Sequence, residues 1–197
     1  MFGPSLNLLQ SGPGLTYPLS GNPPYMTQSA EKTEAKSSKL SAGLAGKYLT
    51  FCLGQEYYGI AVLKIREIIR MLDVTPVPQM PDYIRGVVNL RGKIIPVVDL
   101  RKRFQLAKAD TNERTCIVVV QVELPSGDKS QMGMVVDAVE EVVNITIDDM
   151  EETPNFGARL QSDYILGMAK VKGKVKTLLD IDKVVAADAL AEVAAAA

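Results

Sequence analysis

The sequence has no histidine and no tryptophan, and only two cysteines among its 197 residues. Each absence removes a class of chemistry. Without histidine, general acid–base work falls to paired carboxylates, lysine or tyrosine. The acidic pairs Glu140-Glu141, Asp148-Asp149 and Glu151-Glu152 are adjacent in sequence, so strand alternation would send the two members of each pair to opposite faces. That suits a solvated turn or edge better than a catalytic dyad. No phosphate loop, GxSxG or GxGxxG follows a strand-like run. The residue set therefore argues against an enzyme. Cys52 and Cys116 each lie in an apolar run with no CxxC spacing, which leaves zinc and thiol-redox sites without ligands. They read as buried free thiols in a reducing, cytosolic compartment, and neither a metal nor a cofactor is expected.

Charge is also nearly absent in the net. Twenty-two basic residues face 23 acidic ones for a net of −1, so there is no basic face for nucleic acid. Four Phe and seven Tyr are too few for the basic aromatic platform of a small nucleic-acid-binding barrel. Arg101-Lys102-Arg103 is the only basic run and reads as a solvated strand end. No apolar run approaches the ~18 residues that a spanning helix needs. Residues 1–30 hold no charged side chain, five of the eleven prolines and four of the fifteen glycines, without periodicity. Together with the Lys/Glu/Ser/Ala/Gly tether that follows, residues 1–46 read as a disordered extension. Met26 is a candidate start within it.

What is present is a duplicated β pattern. Pro81 to Phe104 reads PDYIRGVVNLRGKIIPVVDLRKRF, two β-branched runs around Arg91-Gly92-Lys93, and predicts a hairpin near a sheet edge. Pro96 predicts a bulge or an edge position, where no ladder donor is needed. Eighty-one residues on, the pattern returns. Of the 19 positions from Asp82 to Leu100, seven recur identically, among them Gly86/Gly167, Gly92/Gly173, Lys93/Lys174 and Asp99/Asp180. Upstream, Gly59-Ile60-Ala61-Val62 and Glu67-Ile68-Ile69 recur 74 residues later as Gly133-Met134-Val135-Val136 and Glu141-Val142-Val143. One unit is used twice, with an insertion between Asn144 and Ser162. A unit of roughly 65 residues is marginal alone, so each half leans on the other.

The folded region opens with strands at Tyr48–Leu53 and Tyr57–Ile60, a helical turn at 61–64 and an edge strand from about Ile65 to Met71. Strict alternation on that strand prevents Ile65, Ile68 and Ile69 from all facing one core, which leaves an apolar set for a neighbour. Prolines 76, 78 and 81 make the next segment a stiff, irregular crossing. The second half predicts strands at 115–124 and 131–136, a hairpin from Tyr164 to Ile181 and a terminal helix from Asp182 onward. Asp99 and Asp180 read as caps at strand ends. Gly59, Gly86, Gly92, Gly133, Gly167 and Gly173 read as structural turns. Arg91 faces Lys172 in the repeat, and both a structural salt bridge and a partner contact remain open for it.

Gly59-Ile60, Ile65-Arg66-Glu67-Ile68, the proline crossing and the run from Ile84 to Leu100 together closely resemble the CheW-like family of chemotaxis coupling proteins, over about Gly46 to Val185. The resemblance implies an all-β fold of two five-stranded SH3-like β-barrels on a shared core, with short helical turns. The barrels would occupy about 47–105 and 113–185, within a domain at 47–185, and 186–197 would be a C-terminal helix or tail. It also implies a cytoplasmic, non-enzymatic adaptor in a two-component signalling system. Such an adaptor links the cytoplasmic tips of chemoreceptors to the regulatory domain of the histidine kinase CheA, at membrane-associated arrays and without inserting into the membrane. The family's kinase-contact strand falls on Ile65, Glu67 and Ile68. The arginine of its NLRG motif falls on Arg91, which the resemblance assigns to the receptor interface together with Val136 and Val142 of the groove. A scaffold of a related array controlling surface motility or biofilm signalling is the alternative, which neighbouring genes would distinguish.

Overall fold

Residues 43–123, 127–151 and 163–185 are described by the computed structural model. Runs of β-branched and apolar residues form β1 (Gly46–Leu53), β2 (Glu56–Ala61), β3 (Ile65–Arg70), β4 (Ile84–Leu90), β5 (Lys93–Asp99), β6 (Cys116–Glu123), β7 (Lys129–Val136), β8 (Ala138–Ile145), β9 (Met150–Glu151), β10 (Ile165–Val171) and β11 (Lys174–Leu179). Single 3-10 turns stand at Val62–Lys64 and Ile147–Asp149, and single helical turns at α1 (Leu100–Arg103) and α2 (Ile181–Val184). The helical turn expected before β3 and the strand that follows it are both present. The extension expected at residues 1–46 lies outside the described residues except for its last four, as does the expected terminal helix beyond Val185.

The expected closed barrels do not form. The strands make two open sheets, sheet A in the order β8-β1-β2-β11-β10-β9 and sheet B in the order β3-β6-β7-β5-β4. In sheet B the edges β3 and β4 do not pair. The prolines between them remove ladder donors, and the backbone pairing that forms there is the isolated Thr75–Val87 bridge. Nor does either half build its own sheet. Hairpin β1–β2 of the first half lies between β8 and β11 of the second, and hairpin β6–β7 of the second lies between β3 and β5 of the first.

The duplication survives in register. Substituting each strand of one half by its repeat turns the order of sheet B into β8-β1-β2-β11-β10, the order of sheet A without β9. The parallel pairings agree residue by residue: Val97 stands opposite Gly133 and Val98 opposite Met134, as Leu178 does Gly59 and Leu179 does Ile60. Bulges at Arg85 and Leu166 are likewise equivalent. Asp99 and Asp180 cap α1 and α2, accepting from the backbone N–H of Lys102 at 3.2 Å and Lys183 at 3.4 Å.

Alternation along the strands divides the apolar residues between two environments. Leu49, Phe51, Ile60 and Leu179 of sheet A and Val98, Val118, Val120, Met134 and Val136 of sheet B share one core. The opposite faces carry their own clusters, Val88, Ile95, Val97, Ile117, Val119 and Val135 in sheet B and Tyr48, Val143, Ile145, Ala169 and Leu178 in sheet A. Phe51, Tyr58, Phe104 and Tyr164 stack in series at centroid spacings of 5.7, 5.3 and 5.2 Å, which joins the two halves through one column of rings.

Two local expectations change. Pro96 lies in β5, an interior strand, and the nearby bulge is in β4. Val87 exchanges both backbone bonds with Thr75, so its pair with Pro96 is a non-hydrogen-bonded one and the missing N–H interrupts nothing there. Among the glycines read as turns, Gly59, Gly86, Gly133 and Gly167 lie within strands instead. At Gly133 a Cβ would come within 2.7 Å of Ile117 Cγ2, and at Gly59 within 3.0 Å of Leu178 Cδ2, so in both places the neighbouring side chain would have to shift to admit one. Gly86 is the demanding position: φ is +138° and a Cβ would meet Thr75 O at 2.1 Å.

The basic run is structural, not merely solvated. Arg101 donates through Nε to Asp137 Oδ1 at 2.7 Å and through Nη2 to Asp137 Oδ2, and Asp137 Oδ2 also accepts from Gly54 N–H at 2.7 Å. Asp137 stands where the chain passes from β7 in sheet B to β8 in sheet A, so this knot ties both sheets to α1. Burial raises the Asp137 pKa, but the bonds from Arg101 and Gly54 outweigh it and the net shift is downward. Arg103 donates to Val184 O at 2.8 Å and lies 4.9 Å from the Tyr83 ring centroid.

Candidate docking edge

Among the described residues strand β3 pairs only with β6, so it is an edge, as its sequence suggested. Its register contains a bulge: Ile65 opposes Val120 and Glu67 opposes Val119, which leaves Arg66 as the extra residue. The bulge overturns strict alternation. Ile65 and Ile68, three apart, now share the face of Val120 and Val118, whereas Glu67 and Ile69 share that of Val119 and Ile117. Ile65 packs against the shared core, yet Ile68 at the rim stays 45 % exposed. Leu63, in the 3-10 turn that leads into β3, is 94 % exposed. The edge thus offers unpaired backbone groups next to two large aliphatic side chains.

Arg91 sits with Gly92 in the two-residue turn between β4 and β5, both with positive φ, 53° and 86°. Such a turn matches the strand twist, and Asn89 Oδ1 secures it by accepting from Gly92 N–H at 2.8 Å. From this turn Arg91 Nη2 donates to Glu67 Oε2 at 2.8 Å, across the gap between the two edges of sheet B. Sequence reasoning placed Glu67 and Arg91 on different partner faces; the structure brings them into one ion pair.

The second edge repeats the first. β8 has the equivalent bulge, with Glu140 and Glu141 both falling between the pairs Leu49–Val142 and Phe51–Val139. Val142, the repeat of Ile68, is 54 % exposed on this edge, so it does not join Ile65, Ile68 and Arg91 in one cluster. Val136 is fully buried in the shared core and offers no side chain to a partner. That expectation is corrected: β7 is an interior strand covered on both faces. The bulge also corrects the reading of Glu140 and Glu141 as pointing to opposite faces, since both line one pocket with Val171, Lys172, Lys174 and Lys176.

Sequence reasoning missed Leu63 and the ionic role of Lys176. The signal for Lys176 was available in the repeat, where it replaces Ile95. For Leu63 none was, since a leucine within the expected helical turn at 61–64 carries no mark of exposure. Cys52 and Cys116 are half-buried free thiols whose pKa values burial pushes up. Among the described residues, no helix is long and apolar enough to cross a membrane.

Two open sheets of equivalent register with bulged, apolar edges can be set against known proteins. The CheW-like domain family matches residues 47–189. The chain belongs to the CheW-like family. It is 34 % identical to the chemotaxis protein CheW of Klebsiella aerogenes over 80 % of this chain and 92 % of that one. To the chemotaxis protein CheW of Treponema pallidum it is 31 % identical over 74 % and 85 %. The crystal structure of the scaffolding protein TtCheW from Thermoanaerobacter tengcongensis superposes with a TM-score of 0.63 at 31 % identity, covering 74 % of this chain and 96 % of that one. The similarity thus extends through both halves, and it supports a scaffold role in chemotaxis.

Proposed function

We propose that this chain is a non-enzymatic scaffold that couples chemoreceptor tips to the histidine kinase CheA by docking its β3 edge against the kinase's regulatory domain. The observation that carries this reading is the exposed aliphatic rim of β3 on a chain of the CheW-like family. Edge-to-edge addition would satisfy the free backbone groups of β3 and bury Ile68 and Leu63 at the centre of the contact. Ile65 would support that surface from beneath. Glu67 and Arg91 would flank it, and Arg91 and Val142 would contribute to receptor contact. The working location is the cytoplasmic face of receptor arrays, reached through the partners.

The test is co-purification of this chain with the kinase and with a soluble receptor-tip fragment, singly and together. The reading expects a binary complex with each and a ternary complex with both, together with receptor-dependent control of kinase autophosphorylation. Failure to retain the kinase, with or without receptor, would refute it.

A further inference from the structure

Sheet A is polar at a place where sheet B is apolar. By register, Thr50 occupies the position of Val119, each opposite the edge bulge, and Lys176 occupies that of Ile95. Lys176 is nevertheless 2 % exposed. Its Nζ donates to Thr50 Oγ1 at 3.1 Å and Glu140 Oε2 at 3.2 Å, and lies 5.8 Å from the Tyr57 ring centroid. Lys174 Nζ donates to Tyr57 Oη at 2.6 Å, 3.9 Å from the ring centroid, with Glu140 Oε1 at 4.0 Å. Lys172 pairs with Glu141 at 2.5 Å. The three lysines with Glu140 and Glu141 border a pocket of about 380 Å³, with Val171 as its apolar wall.

Burying an ammonium is costly unless its partners compensate, and Ile95 shows that this fold does not require one here. An ammonium carries three donors, and two are matched by protein oxygens. The lining holds three lysines against two glutamates, an excess of one positive charge. We propose that this pocket binds a single carboxylate group, held by Lys176 and Lys174 and resting on Val171. One such group neutralises the excess and takes up the remaining donor of Lys176. A dianionic phosphate is disfavoured, because it would exceed the single positive charge left over by Glu140 and Glu141 in the lining. The carboxylate comes from a free small acid or from an acidic side chain of a partner polypeptide.

The experiment follows the lysine ammonium resonances by NMR in the full chain. It titrates acetate, a blocked peptide carrying one glutamate, inorganic phosphate, and chloride at matched ionic strength. Saturable shifts of Lys176 and Lys174 with acetate and peptide support the site and a free-acid source. Shifts with the peptide alone support it with a polypeptide source. Lys176→Met, which restores the apolar character of Ile95, should keep the fold and weaken binding about tenfold or more. Should that variant not fold, Lys174→Gln at the exposed rim must weaken binding in its place. No saturable shift with either carboxylate, equal shifts with chloride, tighter binding of phosphate, or undiminished binding in the variant that folds would each overturn the proposal.

Discussion

Glu67 and Arg91 form a 2.8 Å ion pair across the gap between the edge strands of sheet B, and Glu141 and Lys172 form its counterpart in sheet A at 2.5 Å. The correspondence extends to the backbone, since Arg91 and Lys172 both have φ of 53° at the first position of a two-residue turn. A lysine therefore meets the structural demand of this site, and the bridge by itself does not explain an arginine. Arg91 is 80 % exposed, so its pair contributes at most about 1 kcal/mol to stability.

Arg91→Lys should accordingly leave the melting temperature within about 2 °C of the parent. A partner that engages the planar guanidinium would lose its forked contact, and its binding should weaken. Thermal denaturation together with kinase and receptor binding isotherms checks both halves of the statement. A melting temperature that falls steeply would return Arg91 to a purely structural role.

Much of this edge was legible because its signals are local. Gly92 between two β-branched runs fixed the hairpin, and the β-branched content from Ile65 onward located β3 after one helical turn. The repeat announced the paired caps at Asp99 and Asp180. The remainder depended on partners distant in the chain. Arg66 is a bulge only because Val119 and Val120 oppose its neighbours, and the same holds for Glu140 and Glu141 opposite Thr50. Arg101 looked solvated because its carboxylate, Asp137, lies 36 residues away. The exchange of hairpins between sheets, and with it the burial of Val136, is set by packing that no single segment contains.

Ile68 and Ile65 share a face of β3 but should respond differently to charge. Ile68→Glu places a carboxylate at a rim already open to water, so the fold should persist while kinase affinity drops by about 2 kcal/mol or more, roughly 30-fold. Ile65→Glu forces a charge against the shared core and should lower the melting temperature by many degrees. Calorimetry and a binding isotherm on each variant separate the two. If Ile68→Glu binds the kinase with undiminished affinity, β3 is not the docking edge.

Truncation after Arg114 should abolish folding, not merely weaken it. The fragment would keep β1 to β5 but lose β6 and β7, which stand between β3 and β5 in sheet B. In sheet A it would keep only hairpin β1–β2, which is marginal in water. Amide spectra should show narrow dispersion, and heating should give no cooperative transition. A sharp melt of this fragment would mean that the first half can close on itself in another way.

Asp137 should make the fold acid-sensitive. Its folded pKa lies below the unfolded value, because the bonds from Arg101 and Gly54 outweigh the effect of burial. The unfolded chain therefore holds the proton more tightly, and stability from this group is fully present above the unfolded carboxyl pKa of about 3.9. It is lost as pH falls through the still lower folded pKa. Asp137→Asn removes the titrating group, keeps one acceptor for Arg101, and should cost on the order of 1–3 kcal/mol at neutral pH. Urea midpoints measured from neutral pH down to about pH 3 should fall more steeply for the parent than for the variant, so that the two curves converge in acid. Parallel curves would show that Asp137 does not hold the crossing between the sheets through its charge.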